Sequence, residues 1–318
     1  MKIIALDGYT LNPGDNPWDE IAALGELQVF DRSTPEQLLE RAESAEILIV
    51  NKVRIDAAVL ARLPRLQYIT VTATGFDCVD AATARERHVL VSNVPVYGTD
   101  SVAQFVMAQL LHVCHQIGMH DQAVRSGEWQ RRGDFSFWDS RQIELRHKKL
   151  GIIGFGRIGK RLGELAHAFG MPVLATTRGP QPAPDYAPFA WMDLDSLLAE
   201  SDVISLNCPL TPVTKGLVNR DFLARCKTGA ILLNASRGGL VVEADLAAAL
   251  DADQLAAAVV DVVADEPISP ENPLLRAKNC WITPHMAWAT WEARRRLMQA
   301  TAANIAAFLA GNPQNLVG

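Results

Sequence analysis

One stretch near the middle of the chain, residues 149–178, restricts the fold more than any other part of the sequence. It begins with a short apolar run at residues 150–153, and glycines follow at positions 154, 156 and 159 in the spacing G-x-G-x-x-G. Apolar residues at helical spacing come next, and Gly170 then precedes a second short apolar run at residues 173–177. The stretch therefore predicts a strand, a tight turn, a helix and a second strand. This is the structural context that the glycine motif requires.

Each of the three glycines has a distinct role in such a unit. Gly154 allows a sharp turn out of the strand, Gly156 lets a pyrophosphate approach the backbone, and Gly159 lets the helix pack closely against the strand. The N-terminus of the helix adds unpaired N–H groups and the positive end of a dipole. The motif therefore predicts dinucleotide binding, and the alternative is a turn with a structural role alone.

The end of the second predicted strand indicates which dinucleotide binds. An acidic residue about 20 residues beyond the glycines would accept a hydrogen bond from the ribose 2′-hydroxyl of NAD. This chain has Thr177 and Arg178 there and no acidic residue. A neutral threonine does not repel a 2′-phosphate, and an arginine can pair with it. We therefore predict a preference for NADP(H) over NAD(H); the alternative is that Arg178 is a solvated loop charge and that either cofactor binds.

Composition excludes several classes of protein. The chain of 318 residues is long enough for two domains, and its net charge of −6 gives no reason to expect nucleic acid or an anionic membrane as a partner. A basic cluster at residues 294–296 lies in a helical pattern, and we expect it to be a solvated face. The five cysteines and seven histidines lack metal-binding spacing, so we expect no metal and no disulfide framework. Without a signal peptide or a membrane-spanning run, a cytoplasmic location is expected.

Short apolar strands alternate with helical patterns along most of the chain, which predicts parallel sheets covered by helices. An internal repeat extends this prediction, because residues 59–82 align with residues 222–245 and a matching helix and strand precede each copy. The alignment places a loop at residues 73–75 opposite one at residues 236–238. Since ligands collect at the carboxyl ends of parallel strands, both loops are expected to face one cleft, unless the match is a chance one.

Two segments stand apart from this alternation. Residues 100–127 form one long helical pattern with few charges, and the prediction is a single helix that is either buried or packed against a second subunit. Residues 129–140 are aromatic-rich, and we expect an irregular loop that either shapes a substrate cleft or packs as an ordinary loop.

Polar residues follow the late strands, on the side where the dinucleotide is expected. Taken singly, Arg237, Glu266 and His285 are typical of a surface arginine, a loop charge and a packed histidine. Together they supply what the reduction of a 2-keto acid needs. His285 can donate a proton to the carbonyl oxygen, and Glu266 can orient the imidazole and favour its charged form. Arg237 can bind the substrate carboxylate and polarise the carbonyl, and Asp261 can orient the nicotinamide amide.

Eight segments spread over nearly the whole chain resemble the D-isomer-specific 2-hydroxyacid dehydrogenases, in the order of that family. They are TGFDCVD, NVPVYGTDSVAQ, LGIIGFGRIGKRLGELAHAFGM, NCPLTPVTKGLVN, GAILLNASRGGLVVEADL, DVVADEP, NPLL and ITPHMAWAT. VPVYGTDSVAQ and FSFWDSRQIEL are most similar to the glycerate dehydrogenase, or hydroxypyruvate reductase, branch. The resemblance implies an α/β protein with two Rossmann-like domains, one flavodoxin-like and one NAD(P)-binding, with parallel sheets and a cleft between them. It also implies that residues 99–287 bind the cofactor, that residues 1–98 and 288–318 form a discontinuous substrate domain, and that the protein is a homodimer.

The resemblance further implies roles for individual residues. The catalytic set is Arg237, Glu266 and His285, and Arg237 also binds the substrate. Further substrate contacts are expected at Lys52, Thr74 and Gly75. In addition to the three glycines and to Thr177 and Arg178, which the residues themselves indicate, the resemblance implies cofactor contacts at Arg157, Ile158, Cys208, Pro209, Thr214, Ala235 and Asp261. Thr177 departs from most of the family, which has aspartate at this position, and this departure leaves the choice between NAD and NADP open.

We therefore expect an NAD(P)-dependent enzyme that reduces hydroxypyruvate and glyoxylate to D-glycerate and glycolate. One alternative is a reductase for another 2-keto acid within the same family. The other is a non-enzymatic corepressor of the same fold that senses the dinucleotide. The intact set of arginine, glutamate and histidine favours the enzyme.

Overall fold

The computed structural model of the chain describes residues 1–179 and 181–318, and it divides into two units. The first unit consists of Met1–Gly98 and Trp288–Gly318, and the second consists of Thr99–Ala287. Each unit is built on one parallel sheet with helices packed against it.

The sheet of the first unit has the spatial strand order β2-β1-β3-β4-β5. Its strands are β1 (Lys2–Ala5), β2 (Glu26–Val29), β3 (Ile47–Val50), β4 (Tyr68–Val71) and β5 (Leu90–Ser92). Its helices are α1 (Asp19–Ala22), α2 (Pro35–Ala42), α3 (Ala57–Ala61), α4 (Ala81–Glu86) and, late in the chain, α12 (Trp291–Leu309). This is the flavodoxin-like order, in which the direction of winding reverses between β1 and β3.

Unbroken apolar strands place the core of the first unit on both faces of the sheet. Every residue of β3 is buried, and successive side chains point to opposite faces. On one face Ile47 and Ile49 pack in a cluster with Leu297 and Ile305 of α12. On the other face, residues 48 and 50 pack in a cluster with apolar residues of α2, α3 and α4. A sheet covered in this way is what the continuous apolar runs predict.

The sheet of the second unit has seven strands in the order β12-β11-β10-β9-β6-β7-β8, and all its pairings are parallel. Its strands are β6 (Leu150–Ile153), β7 (Val173–Thr176), β8 (Phe189–Trp191), β9 (Val203–Leu206), β10 (Ala230–Asn234), β11 (Leu255–Val260) and β12 (Cys280–Ile282). Its helices are α5 (Thr99–His115), α6 (Ile117–Arg125), α7 (Glu128–Arg132), α8 (Arg157–Ala168), α9 (Leu194–Glu200), α10 (Arg220–Arg225) and α11 (Glu243–Asp251). This is the Rossmann order, which reverses between β6 and β9.

The predicted fold class of two Rossmann-like α/β folds with parallel sheets is confirmed. The internal repeat is also present in the structure. Helix α3, strand β4 and helix α4 of the first unit correspond to helix α10, strand β10 and helix α11 of the second. The predicted unit around the glycine motif corresponds to β6, α8 and β7.

The prediction of a single helix over residues 100–127 is wrong. Gln116 adopts a left-handed conformation with φ of 43°, which ends α5 at His115 and lets α6 begin at Ile117. A returning segment stabilises this break, because the N–H of Ile143 donates to the carbonyl of Cys114 at 3.2 Å. The predicted irregular loop at residues 129–140 is also partly wrong, since α7 occupies its beginning.

The basic cluster at residues 294–296 is only in part the solvated face that the helical pattern predicts, because Arg296 is exposed whereas Arg294 is buried. Arg294 is only 8% exposed, and its Nη2 lies 2.6 Å from Oδ2 of Asp15. The side chain of Asn16 donates in turn to the carbonyl of Arg294 at 3.0 Å. Arg296 donates from Nε to the carbonyl of Tyr97 at 2.8 Å. These arginines therefore attach surrounding loops to α12.

Candidate active site

The glycine turn joins β6 to α8 at the point where the order of the second sheet reverses. Gly154 has a φ of +94°, and a Cβ there would lie 2.7 Å from the backbone of Asn207 and Cys208. A Cβ on Gly159 would lie 2.4 Å from the carbonyl oxygen of Gly154. Both positions therefore exclude a side chain. A Cβ on Gly156, by contrast, would have no atom within 4 Å, so the space in front of this residue is open.

The N-terminus of α8 opens onto that space. Gly156 is the N-cap and offers no side-chain acceptor, and the first turn contains no acidic residue. Arg157 is exposed and Ile158 is half-buried. Uncapped N–H groups and the positive end of the helix dipole, next to an open volume, fit the pyrophosphate of a dinucleotide.

Apart from Asp261, which follows β11, the other predicted cofactor contacts follow the carboxyl ends of β7, β9 and β10. Burial raises the pKa of the Cys208 thiol, and a backbone hydrogen bond and the positive charge of Arg178 partly offset this effect. The hydroxyl of Thr214 donates to the carbonyl of Pro209 at 2.7 Å, which closes the loop after β9. The loop after β10 is attached to it, because the hydroxyl of Ser236 donates to the carbonyl of Cys208 at 2.8 Å.

Thr177 and Ala235 complete this group. Thr177 immediately follows β7 and Ala235 immediately follows β10, and both are half-buried. Among residues 1–179 and 181–318, no group of three or more histidine, cysteine, aspartate or glutamate side chains is arranged to hold a metal ion.

A hydrogen-bonded pair lies beyond the ends of β11 and β12. Nδ1 of His285 is 2.7 Å from Oε2 of Glu266, and both side chains are partly exposed. A carboxylate at this distance fixes the plane of the imidazole and the direction in which its Nε2 atom points. A protonated ring carries a second proton on Nε2, which it can transfer to a ligand oxygen.

The turn that carries His285 is wound around the carboxylate of Asp261, which is only 1% exposed. This carboxylate accepts hydrogen bonds from the Thr283 hydroxyl at 2.6 Å, the Met286 N–H at 2.9 Å and the Ala287 N–H at 2.8 Å. Burial raises the pKa of Asp261, and these hydrogen bonds and the nearby His285 partly offset the effect. Because His285 has a left-handed φ of 52°, its backbone conformation needs such support. The sequence predicts a cofactor contact at Asp261 and misses this attachment.

Arg237 follows β10, and its turn packs on the loop that leads to Glu266. A Cβ on Gly238 would lie 1.9 Å from the backbone carbon of Val263, so the two backbones are in direct contact. The N–H of Val263 in turn points at Oε1 of Glu266 at 3.4 Å. Arg237, Glu266 and His285 therefore follow three adjacent strands, β10, β11 and β12.

Glu243 is a further residue of this region, and the sequence pattern gives no sign of its role. It begins α11, and its two oxygens accept hydrogen bonds from the N–H of Ala264 at 2.8 Å and from Nδ2 of Asn272 at 2.9 Å. These partners lie on either side of Glu266. Glu243 therefore fixes both sides of the loop that carries the partner of His285.

The three predicted substrate residues outside this group belong to the first unit. Lys52 follows β3 and has an exposed side chain, whereas Thr74 and Gly75 follow the neighbouring strand β4. The hydroxyl of Thr74 donates to the carbonyl of Val94 at 3.1 Å, and Nδ2 of Asn93 donates to the carbonyl of Thr74 at 2.6 Å. All three thus lie at the carboxyl edge of the first sheet.

Comparison with known proteins extends these observations. Residues 107–287 match the family described as D-isomer specific 2-hydroxyacid dehydrogenase, NAD binding domain. The chain is 48% identical over 320 residues to a hydroxypyruvate reductase from Blautia hydrogenotrophica, covering 100% of this chain and 99% of the relative. It is 40% identical over 286 residues to a glycerate dehydrogenase from Methylorubrum extorquens, covering 89% of each. A solved NADPH-dependent glyoxylate/hydroxypyruvate reductase from Sinorhizobium meliloti, in complex with NADP and malonate, has a TM-score of 0.81 and 25% identity, covering 100% of this chain and 96% of that one.

A Rossmann-ordered sheet with an uncapped helix at its reversal point, together with these matches, defines an NAD(P)-dependent oxidoreductase that acts on CH–OH groups. The chain belongs to the D-isomer-specific 2-hydroxyacid dehydrogenase family, and within it to the branch of glycerate dehydrogenases and hydroxypyruvate reductases. The resemblance seen in the sequence is thereby confirmed, and nothing in these matches supports the corepressor alternative.

Proposed function

We propose that this protein reduces hydroxypyruvate and glyoxylate to D-glycerate and glycolate, with His285 as the proton donor. The observation that carries this proposal is the contact of 2.7 Å between His285 Nδ1 and Glu266 Oε2 at the carboxyl edge of the Rossmann-ordered sheet. The choice of substrate draws on the hydroxypyruvate reductase that is 48% identical over the whole chain.

Three side chains have separate roles in the reduction of the substrate. A bound reduced nicotinamide supplies the hydride that adds to the carbonyl carbon. Nε2 of His285 donates its proton to the carbonyl oxygen, so that the product is an alcohol rather than an alkoxide. Glu266 accepts a hydrogen bond from Nδ1 of His285 and holds the imidazole in orientation for the transfer. Arg237 binds the substrate carboxylate and withdraws electron density from the carbonyl.

We propose that the first unit is the substrate domain and that the second unit is the NAD(P)-binding domain. Lys52, Thr74 and Gly75 support this division, because the carboxyl ends of parallel strands are where α/β sheets bind ligands. The exposed ammonium group of Lys52 and the backbone N–H of Gly75 are suited to an anionic keto acid. In the second unit, the open volume in front of Gly156 supports a cofactor-binding role.

For the cofactor, we propose a preference for NADP(H), with the 2′-phosphate held by Arg178. The exposed guanidinium after β7 and the neutral Thr177 support this choice. Arg178→Ala should lower kcat/KM for NADPH about 10- to 100-fold, the loss of one charge-assisted hydrogen bond, and leave kcat/KM for NADH nearly unchanged. A wild-type enzyme that favours NADH tenfold would contradict the preference.

We also propose that the protein is a homodimer. The segment 128–142 presents aromatic side chains to solvent, with Phe135 93% exposed and Trp138 65% exposed. The segment is held in a fixed shape, since Arg132 binds both oxygens of Asp139 at 2.8 and 2.9 Å and stacks over Phe137. A rigid, exposed apolar surface is typical of an interface. Sedimentation should show a dimer that Trp138→Ser weakens, and a wild-type monomer at micromolar concentration would contradict the proposal.

We propose a cytoplasmic location on the state of the cysteines. All five cysteines are unpaired, which is the state that a reducing compartment maintains. No helix in the described part of the chain is long and apolar enough to cross a membrane. Fractionation of cells that produce the protein would check this location.

A panel of 2-keto acids tests the proposed activity as a whole. Oxidation of NADPH and of NADH is followed with hydroxypyruvate, glyoxylate, pyruvate and bulkier 2-keto acids, and the chirality of the glycerate produced is determined. Hydroxypyruvate should give the highest kcat/KM, and the product should be D-glycerate. A clear preference for a bulkier acid would favour another reductase of the family, and failure to oxidise either cofactor would favour the corepressor.

A further inference from the structure

In the first unit, the carboxylate of Asp7 is bound by three successive backbone N–H groups. Asp7 follows β1, and its Oδ1 accepts from the N–H of Asn51 at 2.8 Å. Its Oδ2 accepts from the N–H of Lys52 at 2.6 Å and from the N–H of Val53 at 2.9 Å. Successive N–H groups that converge on one point form an anion-binding nest, and this nest holds an anion from the chain itself.

The nest lies beyond the carboxyl ends of β1 and β3, and the strand order of the first sheet reverses between these two strands. In open α/β sheets this is the place where an external ligand binds. In this chain the carboxylate of Asp7 occupies that place, and the loop that it binds carries Lys52.

Other hydrogen bonds hold the two ends of the same loop. Nδ2 of Asn51 donates to the carbonyl of Thr72 at 2.9 Å, and the Cys78 thiol approaches the carbonyl of Asn51 at 3.5 Å. The N–H of Ile55 donates to the carbonyl of Cys78 at 2.8 Å. These contacts fix residues 51 and 55, at the two ends of the loop. The carboxylate of Asp7 binds the part between them, from which the side chain of Lys52 projects.

We propose that Asp7 is a positioning residue of the substrate site. Its carboxylate fills the nest of residues 51–53 and thereby fixes the backbone that directs the ammonium group of Lys52. The inference rests on the proposed contact between Lys52 and the keto acid. Charge-assisted hydrogen bonds of 2.6–2.9 Å are short and strong, so losing them should free the loop without unfolding the sheet.

Kinetics of Asp7→Ala test this role. The KM for hydroxypyruvate should rise about tenfold, the equivalent of one charge-assisted hydrogen bond, while kcat stays within about twofold and the Kd of the cofactor is unchanged. Formate should then lower the KM again, because a free carboxylate can enter the vacated nest. Asp7→Gly leaves more room for formate and should show the larger recovery. Chloride at equal ionic strength is the control anion, and the effect of formate on the wild-type enzyme is measured in parallel.

Hydrogen exchange gives a readout that does not depend on activity. The amides of residues 51–53 should exchange faster in Asp7→Ala than in the wild type, and formate should slow them again. Glu46→Ala is the matched control, because Oε2 of Glu46 accepts from the N–H of Lys2 at 2.8 Å at the amino end of the same pair of strands. Glu46→Ala should leave the KM for hydroxypyruvate unchanged and show no response to formate.

Lys52→Met separates this inference from the function on which it rests. If Lys52→Met raises the KM and Asp7→Ala does not, the inference about Asp7 fails and the proposed substrate site stands. If Lys52→Met leaves the KM unchanged, the substrate role of Lys52 fails and the inference fails with it. A raised KM in Asp7→Ala without recovery in formate, in either kinetics or exchange, would also overturn the inference.

Discussion

Gly156 and Gly159 stand three residues apart in one motif, yet the structure predicts different consequences for the same substitution. A Cβ on Gly156 meets no atom within 4 Å, and the φ of −80° at this position suits alanine. A Cβ on Gly159 would lie 2.4 Å from the carbonyl oxygen of Gly154 and 3.1 Å from Cγ2 of Ile152. The first glycine therefore leaves space for a ligand, whereas the second lets α8 approach β6.

The expected magnitudes follow from these distances. Gly156→Ala should cost about 1 kcal/mol or less of folding free energy, the difference between glycine and alanine at an N-cap, and lower the Tm by about 2–4 °C. Gly159→Ala forces the helix away from the strand and should cost about 1–3 kcal/mol or more. Gly156→Ala should also weaken the binding of NADPH, because a methyl group on residue 156 would displace the pyrophosphate from the N-terminus of α8. We expect the Kd to rise about 10- to 100-fold, which corresponds to the loss of one charge-assisted hydrogen bond.

Thermal unfolding without ligand and calorimetric titration with NADPH measure the two effects separately. Gly118→Ala is a matched control, since Gly118 in α6 also faces open space and lies outside the glycine motif. It should change neither the Kd for NADPH nor, by more than a few degrees, the Tm. The reasoning would be refuted if Gly156→Ala bound NADPH as tightly as the wild type, or if it lost as much stability as Gly159→Ala.

Three further predictions concern other parts of the molecule. Glu266→Gln should lower kcat about 10- to 100-fold, because a neutral amide holds the imidazole of His285 less firmly in the orientation for proton transfer; a kcat within twofold of the wild type would argue against their pairing. Asp261→Asn should alter the pH dependence of stability. Burial raises the pKa of Asp261 in the folded state, so the stability linked to its protonation is fully present below the unfolded pKa and is lost as the pH rises through the folded pKa. Denaturant titrations at a series of acidic pH values should therefore show that the unfolding free energy changes with pH differently in the wild type and in Asp261→Asn. Burial also raises the pKa of Cys114 to about 11 and that of Cys226 to about 12, so both thiols should react with a disulfide reagent at neutral pH far more slowly in the native than in the denatured chain.

Local patterns in the sequence predict much of the fold. The unit of β6, α8 and β7 is recognisable because its strand, turn and helix signals lie within about 30 residues. The strand ends that carry Arg237, Glu266 and His285 are predictable for a related reason. Parallel strands bring their carboxyl ends to one edge, so strand boundaries alone indicate which loops share that edge.

Features that depend on distant partners were not predictable. The break falls on Gln116, which is neither glycine nor proline, and a backbone contact from Ile143 supports it. Glu243 binds backbone and side-chain donors 21 and 29 residues away, and Asp7 binds N–H groups 44 to 46 residues away. A sequence shows where a carboxylate stands but not which distant backbone it will bind. Arg294 illustrates the same limit, because its helical pattern is typical of a solvated face whereas its partner Asp15 lies near the start of the chain.

The most direct test of the central claim compares kcat for hydroxypyruvate in the wild type and in His285→Ala, with the Kd of the cofactor measured for both. The wild type should form D-glycerate. His285→Ala should bind the cofactor normally and turn over about 10²- to 10⁴-fold more slowly, because the proton donor is lost. A His285→Ala variant with near-normal turnover would contradict the claim that this imidazole protonates the carbonyl oxygen.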